Sequence, residues 1–215
     1  MKEVFINIAD VLIYYIHAPM GGLSLLSGGV AMFVKKGGKI HKISGRIFYY
    51  AMLIVAFSAF IISVLPNHKN TFLFSIGLFS TYFLVSGLRS VYYKSNDFNI
   101  NIDKMIAYTI LLIGVFMNLY PLIFFRKINI ILTVFGITAV YFGVRDLVLF
   151  NNIDKLKNSW LKLHLGKMTG GYIAAVSAFF VVNQLLPNLY NWFLPGIIGG
   201  TYIFYWIRKI NRNKP

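Results

Sequence analysis

A chain of 215 residues that is 58% hydrophobic and only 13% charged, with a mean hydropathy of +0.68, has too little polar side chain to cover a water-facing surface; soluble domains carry roughly 25% charged residues, and the excess here would form one contiguous apolar patch. Twenty-one Lys and Arg stand against six Asp and Glu, for a net charge of +15, but the cations fall in short clusters between apolar runs, which speaks against a nucleic-acid face and for loops that meet anionic lipid. The absence of cysteine excludes disulfides, thiolate metal sites and cysteine nucleophiles.

The fold class these numbers predict is an all-α integral membrane bundle, a single transmembrane domain over residues 1–215. A spanning helix needs about 20 mainly apolar residues, and seven stretches supply them: 5–34, 44–65, 71–92, 104–124, 128–150, 165–185 and 190–208. The N-terminus lacks the features of a cleavable signal, so the first stretch is expected to remain as a membrane helix. It contains Pro19-Met20-Gly21-Gly22, where a kink or break is expected. Short turns are predicted at Pro66-Asn67-His68-Lys69-Asn70, around Arg126-Lys127 and at Pro187-Asn188. The longer connection 151–163 places Leu156, Trp160, Leu161 and Leu163 among Lys155, Lys157 and Lys162, a segregation that predicts a short helix lying in the membrane interface. Tyr49-Tyr50 and Tyr92-Tyr93 fit interfacial aromatic belts.

Basic residues give the orientation. With seven spans, one side carries Lys35, Lys36, Lys39, Lys42 and Arg46; Arg89, Lys94 and Lys104; Arg145, Lys155, Lys157, Lys162 and Lys167; and Arg208, Lys209, Arg212 and Lys214. The other side carries Lys2, Lys69, Arg126 and Lys127. The positive-inside rule puts the larger set in the cytoplasm, the N-terminus outside and the C-terminus inside. The expected location is a multi-pass cell inner membrane. The expected partners are the lipid bilayer and anionic headgroups at the cytoplasmic face; nucleic acid is not among them, and self-association is compatible with the chain.

Ionisable groups inside spans are costly and are candidate functional residues. Asp10, Tyr14 and His17 lie in the first span, and seven positions of α-helix would put Asp10 and His17 on one face. His41 and His164 open the second and sixth spans, Arg89 closes the third, and Arg145 and Asp146 close the fifth. Arginines at span ends also serve as anchors whose heads reach the headgroups, and a histidine at a helix start can simply satisfy free backbone groups. Neutral imidazole is a ligand for haem iron, copper or zinc. His41 and His164, at matched depth, form the preferred pair for a b-type haem or a transition metal ion, with His17 as a third ligand. Seventeen residues of straight helix separate His17 from the end of its span, about 25 Å, so it joins the pair only if that span breaks. A faint echo links Gly87-Leu88-Arg89 with Gly143-Val144-Arg145, and His41 before Ser44-Gly45 with His164 before Thr169-Gly170, as a trace of an internal repeat would.

Three blocks carry a family resemblance. They are His17 followed by Gly22-Leu23-Ser24-Leu25-Leu26-Ser27-Gly28-Gly29; Gly37-Gly38-Lys39-Ile40-His41 followed by Gly45-Arg46-Ile47-Phe48-Tyr49; and Trp160 to Ala174 with His164, Met168 and Tyr172. Together they resemble the bacterial predicted membrane proteins grouped as domain of unknown function 2306. The resemblance implies a multispan bacterial membrane protein in which His17, His41 and His164 are marked positions, and it implies no reaction. Four functions follow from the residues: a histidine-ligated haem or metal protein with a redox role; a transporter or proton/ion pathway lined by Asp10, Tyr14 and His17; a membrane enzyme holding a lipid or phosphate headgroup with His41, Arg89, Arg145 and His164, Asp146 orienting a histidine; and an assembly factor in which the histidines only pack.

Overall fold

Backbone amides in hydrocarbon must be satisfied within their own segment, which leaves helices as the solution for a chain of this composition. The computed structural model describes residues 8–66, 68, 71–95, 98–187 and 189–212, and every regular element among them is helical. The elements are α1 (Ile8–Phe33), α2 (Lys39–Val64), α3 (Thr71–Arg89) with a 3₁₀ turn over Ser90–Lys94, α4 (Ile100–Phe125), α5 (Ile130–Phe150), α6 (Ile153–Asn183) and α7 (Tyr190–Arg212). The first six are long and apolar enough to cross a membrane, which fits a multi-pass membrane protein. The seventh expected span coincides with α7, which falls outside that set. Lys2, Lys69 and Lys214, together with parts of the turns expected at 66–70 and 187–188, lie outside the described residues.

Two expectations change. Residues 153–163 are not a separate interfacial helix. They are the first turns of the 31-residue α6, and Leu156 and Leu163 are buried in a core with Tyr93, Ala107 and Phe150, against which Trp160 packs. The same three-to-four spacing that suits a membrane interface suits protein packing, and pattern alone does not separate the two. The interruption near Pro19 is a π-turn over Leu12–His17 rather than a break: Ala18 N–H donates to the Ile13 carbonyl, five residues back, and α-helix resumes with proline in its first turn. The wider turn absorbs the proline without ending the helix.

The chain divides into two compact units. The first holds Met1–Leu84 and Thr169–Thr201, the second Val85–Met168 and Tyr202–Pro215. In the first unit, α1 and α2 form an antiparallel hairpin. Its loop turns at Gly37, whose φ of +76° is left-handed and suits a residue without Cβ. Serine hydroxyls along the hairpin bond back into their own helices, Ser24 to the Gly21 carbonyl at 2.8 Å, Ser27 to Leu23 and Ser44 to Ile40, so they enter the apolar layer satisfied. Gly28 lies under the Tyr172 ring, where a Cβ would stand 2.5 Å from Cδ2, and Tyr172 Oη donates to the Leu25 carbonyl at 3.2 Å.

In the second unit, asparagines start the helices. Asn99 accepts from Asn101 N–H at 2.9 Å, Asn129 from Leu132 N–H at 3.0 Å and Asn152 from Lys155 N–H at 2.8 Å, each replacing a missing intrahelical partner. Arg126 ends α4 in the left-handed region (φ 50°, ψ 32°). Helices α4 and α5 approach to backbone contact at Gly114 and Gly136 and stay close past Ala139 and Gly143, a small-residue seam of the kind that holds helices together where hydrophobic driving force is weak.

Candidate functional site

The densest polar site lies in the second unit, at the ends of its helices. Asp146 near the end of α5 receives the ammonium of Lys167 from α6. The two side chains are 2% and 5% exposed, so both charges have left solvent. Asp103, in the first turn of α4, accepts from Arg89 Nε at 2.7 Å and Arg89 Nη2 at 2.8 Å, and from Tyr93 Oη at 2.7 Å. Arg89 Nη2 also reaches the Asn99 carbonyl at 3.1 Å. Both ion pairs, with Tyr93, belong to the second unit. Among the described residues no buried side-chain nitrogen or oxygen lacks a hydrogen-bond partner. That matters because an unmatched buried charge is far more costly than a matched one.

Each of the three histidines has a hydrogen-bond partner of its own. His41 Nδ1 donates to the Ala31 carbonyl at 3.0 Å, and Lys36 Nζ donates to the Ala31 and Met32 carbonyls; together they satisfy the last turn of α1. His164 Nδ1 donates to the Gly87 carbonyl at 2.9 Å, in the last turn of α3, where Ser90 Oγ also donates. His41 thus bonds a carbonyl in the last turn of α1, and His164 bonds the Gly87 carbonyl of α3, which runs on without a break into the 3₁₀ turn Ser90–Lys94. His17 Nδ1 meets Ser58 Oγ at 2.9 Å. That hydroxyl gives its proton to the Val55 carbonyl, so it accepts from His17. Fourteen residues of α1 separate His17 from Ala31, about 21 Å, so His17 does not join His41. No group of three or more His, Asp or Glu residues able to hold a metal ion occurs among the described residues, so a three-histidine cluster has no support there.

The other candidates scatter. Tyr14 is 70% exposed and Asp10 is exposed, while His17 is half-buried. The π-turn between them changes the number of residues per turn, so seven positions no longer make two turns. Arg145 is exposed and lies over the Phe142 ring at 5.9 Å, whereas Arg89 is committed to Asp103, so the two Gly-x-Arg segments are not equivalent. Asp146 holds the ammonium of Lys167. Tyr93, expected in an aromatic belt, is 1% exposed and part of the network; Tyr50 and Tyr92 are exposed as a belt requires.

No family model matches this chain, and no curated protein or solved structure matches it either.

Sequence reasoning missed Asp103, Tyr93 and Lys167. Asp103 and Lys167 sit at span ends, where they read as solvated or anchoring groups. The available signal was scarcity: with six acidic residues in 215, an aspartate that opens an apolar helix and a lysine inside Gly166-Lys167-Met168-Thr169-Gly170-Gly171 are both out of place.

Proposed function

We propose that the chain is a multispan bacterial inner-membrane protein that moves protons or small cations, with the Asp146–Lys167 and Asp103–Arg89–Tyr93 groups as the polar element of its path. One observation carries the reading: a carboxylate–ammonium pair withdrawn from water between two apolar helices. Buried ion pairs add little to stability relative to apolar replacements, while ionisable groups at membrane depth mark proton relays and ion pathways. The orientation that accompanies the reading has seven crossings, α7 included, with the N-terminus outside and the C-terminus in the cytoplasm; its support is the asymmetry of basic residues. The kinship with domain of unknown function 2306 is proposed on the three sequence blocks alone.

The test is flux in proteoliposomes carrying a trapped pH dye, with a potassium diffusion potential as driving force. The wild-type chain is expected to pass protons faster than empty vesicles, and Asp146→Asn to slow that flux about tenfold or more, equivalent to about 1.4 kcal/mol in barrier. Wild-type vesicles indistinguishable from empty ones, under proton and alkali-cation gradients alike, would end the proposal.

A second reading rests on a different observation. His41 and His164 each donate Nδ1–H to a main-chain carbonyl, which in the neutral ring makes Nε2 the lone-pair nitrogen, the arrangement typical of ligating imidazoles. A haem or metal role predicts a Soret band or bound transition metal in purified protein, lost in His41→Ala or His164→Ala. A colourless, metal-free protein removes it.

A further inference from the structure

A groove of about 320 Å³ runs along the α1–α2 hairpin, lined by Met20, Leu23, Arg46, Ile47, Tyr50 and Ile54. Its walls are aliphatic except at Tyr50 and Arg46. The α2 side follows helical spacing: Lys39, Lys42, Arg46, Tyr50 and Ile54 are three or four residues apart, so they share one face, and all five are exposed. Arg46 and Ile54 are eight residues apart, so the lined part of the groove is about 12 Å long. Read along the helix, the face begins with cations next to the loop that carries Lys35 and Lys36, passes through an aromatic ring and ends in aliphatic side chains.

That order matches a phospholipid lying parallel to the helix, with phosphate at the cations, glycerol backbone at the ring level and acyl chain in the groove. We propose that this groove binds an anionic phospholipid, with the phosphate on Arg46 and one acyl chain between α1 and α2. Charge complementarity selects the occupant. A guanidinium offers a phosphate two parallel N–H donors, Lys39 and Lys42 add charge beyond it, and basic pockets between membrane helices favour acidic headgroups. A zwitterionic lipid fills the same apolar length and presents the same phosphate, but its choline cation enters the positive field of Lys39, Lys42 and Arg46 and is repelled there. The inference is independent of the ion pathway, since the groove and the charged network share no residue.

The test is native mass spectrometry of the full chain in mild detergent, titrated with dioleoylphosphatidylglycerol or dioleoylphosphatidylcholine. The wild type is expected to retain the glycerol lipid at least about fivefold better, the effect of roughly one basic residue on an anionic surface. Arg46→Gln is expected to erase that preference, whereas Lys162→Gln, elsewhere in the chain, leaves it intact. Glycerophosphoglycerol without acyl chains is expected not to compete. Equal retention of the two lipids, an unchanged preference in Arg46→Gln, or full competition by the chainless headgroup each overturns the proposal. Both variants alter exposed or half-buried side chains, and a melting curve like that of the wild type confirms that they fold.

Discussion

Lys167→Met is expected to lower stability by about 3–5 kcal/mol, because it leaves Asp146 as an unmatched charge in an apolar setting. The carboxylate is 2% exposed, so water cannot replace the ammonium without opening the packing between α5 and α6. Asp146→Asn alone strands the lysine and is expected to cost a similar amount. The double replacement, Asp146→Asn with Lys167→Met, removes both charges and puts an apolar chain of similar length where the lysine lay. It is expected to recover to within about 1 kcal/mol of wild type, since apolar substitutes for a whole buried pair are often neutral. Unfolding in mixed micelles, followed by intrinsic fluorescence, gives the three values. The same double variant separates structure from function: it should be folded and pass no protons. If it is folded and transports at the wild-type rate, the pair is only a clamp and the proposed pathway fails with it.

Gly114→Ala is the second large effect. A Cβ there would stand 2.7 Å from the Gly136 carbonyl oxygen, 2.8 Å from Val140 N and 2.9 Å from Ala139 Cβ. Two of these are backbone atoms, which cannot rotate away, so α4 and α5 must separate along their small-residue seam. Overpacking of this kind costs about 1–3 kcal/mol, and the upper end is expected because cohesion between membrane helices rests on close packing. Gly21→Ala is the matched control. Its Cβ meets nothing within 4 Å, and alanine is the better helix former by up to about 1 kcal/mol, so that variant is expected to be neutral or stabilised. Thermal unfolding of both in the same detergent decides the matter. Equal shifts would show that the seam is not where the second unit derives its packing.

Much of the fold is legible in the amino-acid sequence. Runs of about twenty apolar residues have one good solution in lipid, and the seven apolar stretches overlie α1 to α7, six of which meet the length and composition of a span. Helix starts carry a local mark as well, since Asn99, Asn129 and Asn152 each precede a helix by one position. Two elements mislead. Residues 153–163 have the composition of an interfacial helix but the packing of a core, because segregation of apolar and basic residues says which face is buried and not what buries it. The first span keeps its seven-residue spacing between Asp10 and His17 in sequence but not in space, because a π-turn, here just ahead of a proline, has no signature in periodicity.

The site is legible only in its ingredients. Composition determined that the chain is helical and apolar, that its cations fall in short clusters between apolar runs, and that charges within those runs are few enough to count. Tertiary structure decided which of those charges meet. Asp146 holds Lys167, Arg89 is held by Asp103, and His41 and His164 each donate to a helix carbonyl. The physical reason is range. Hydropathy and helical spacing are local properties, set within about twenty residues of chain. Pairing in a low-dielectric interior depends on contacts such as His164 with Gly87, 77 positions apart, which no local pattern encodes.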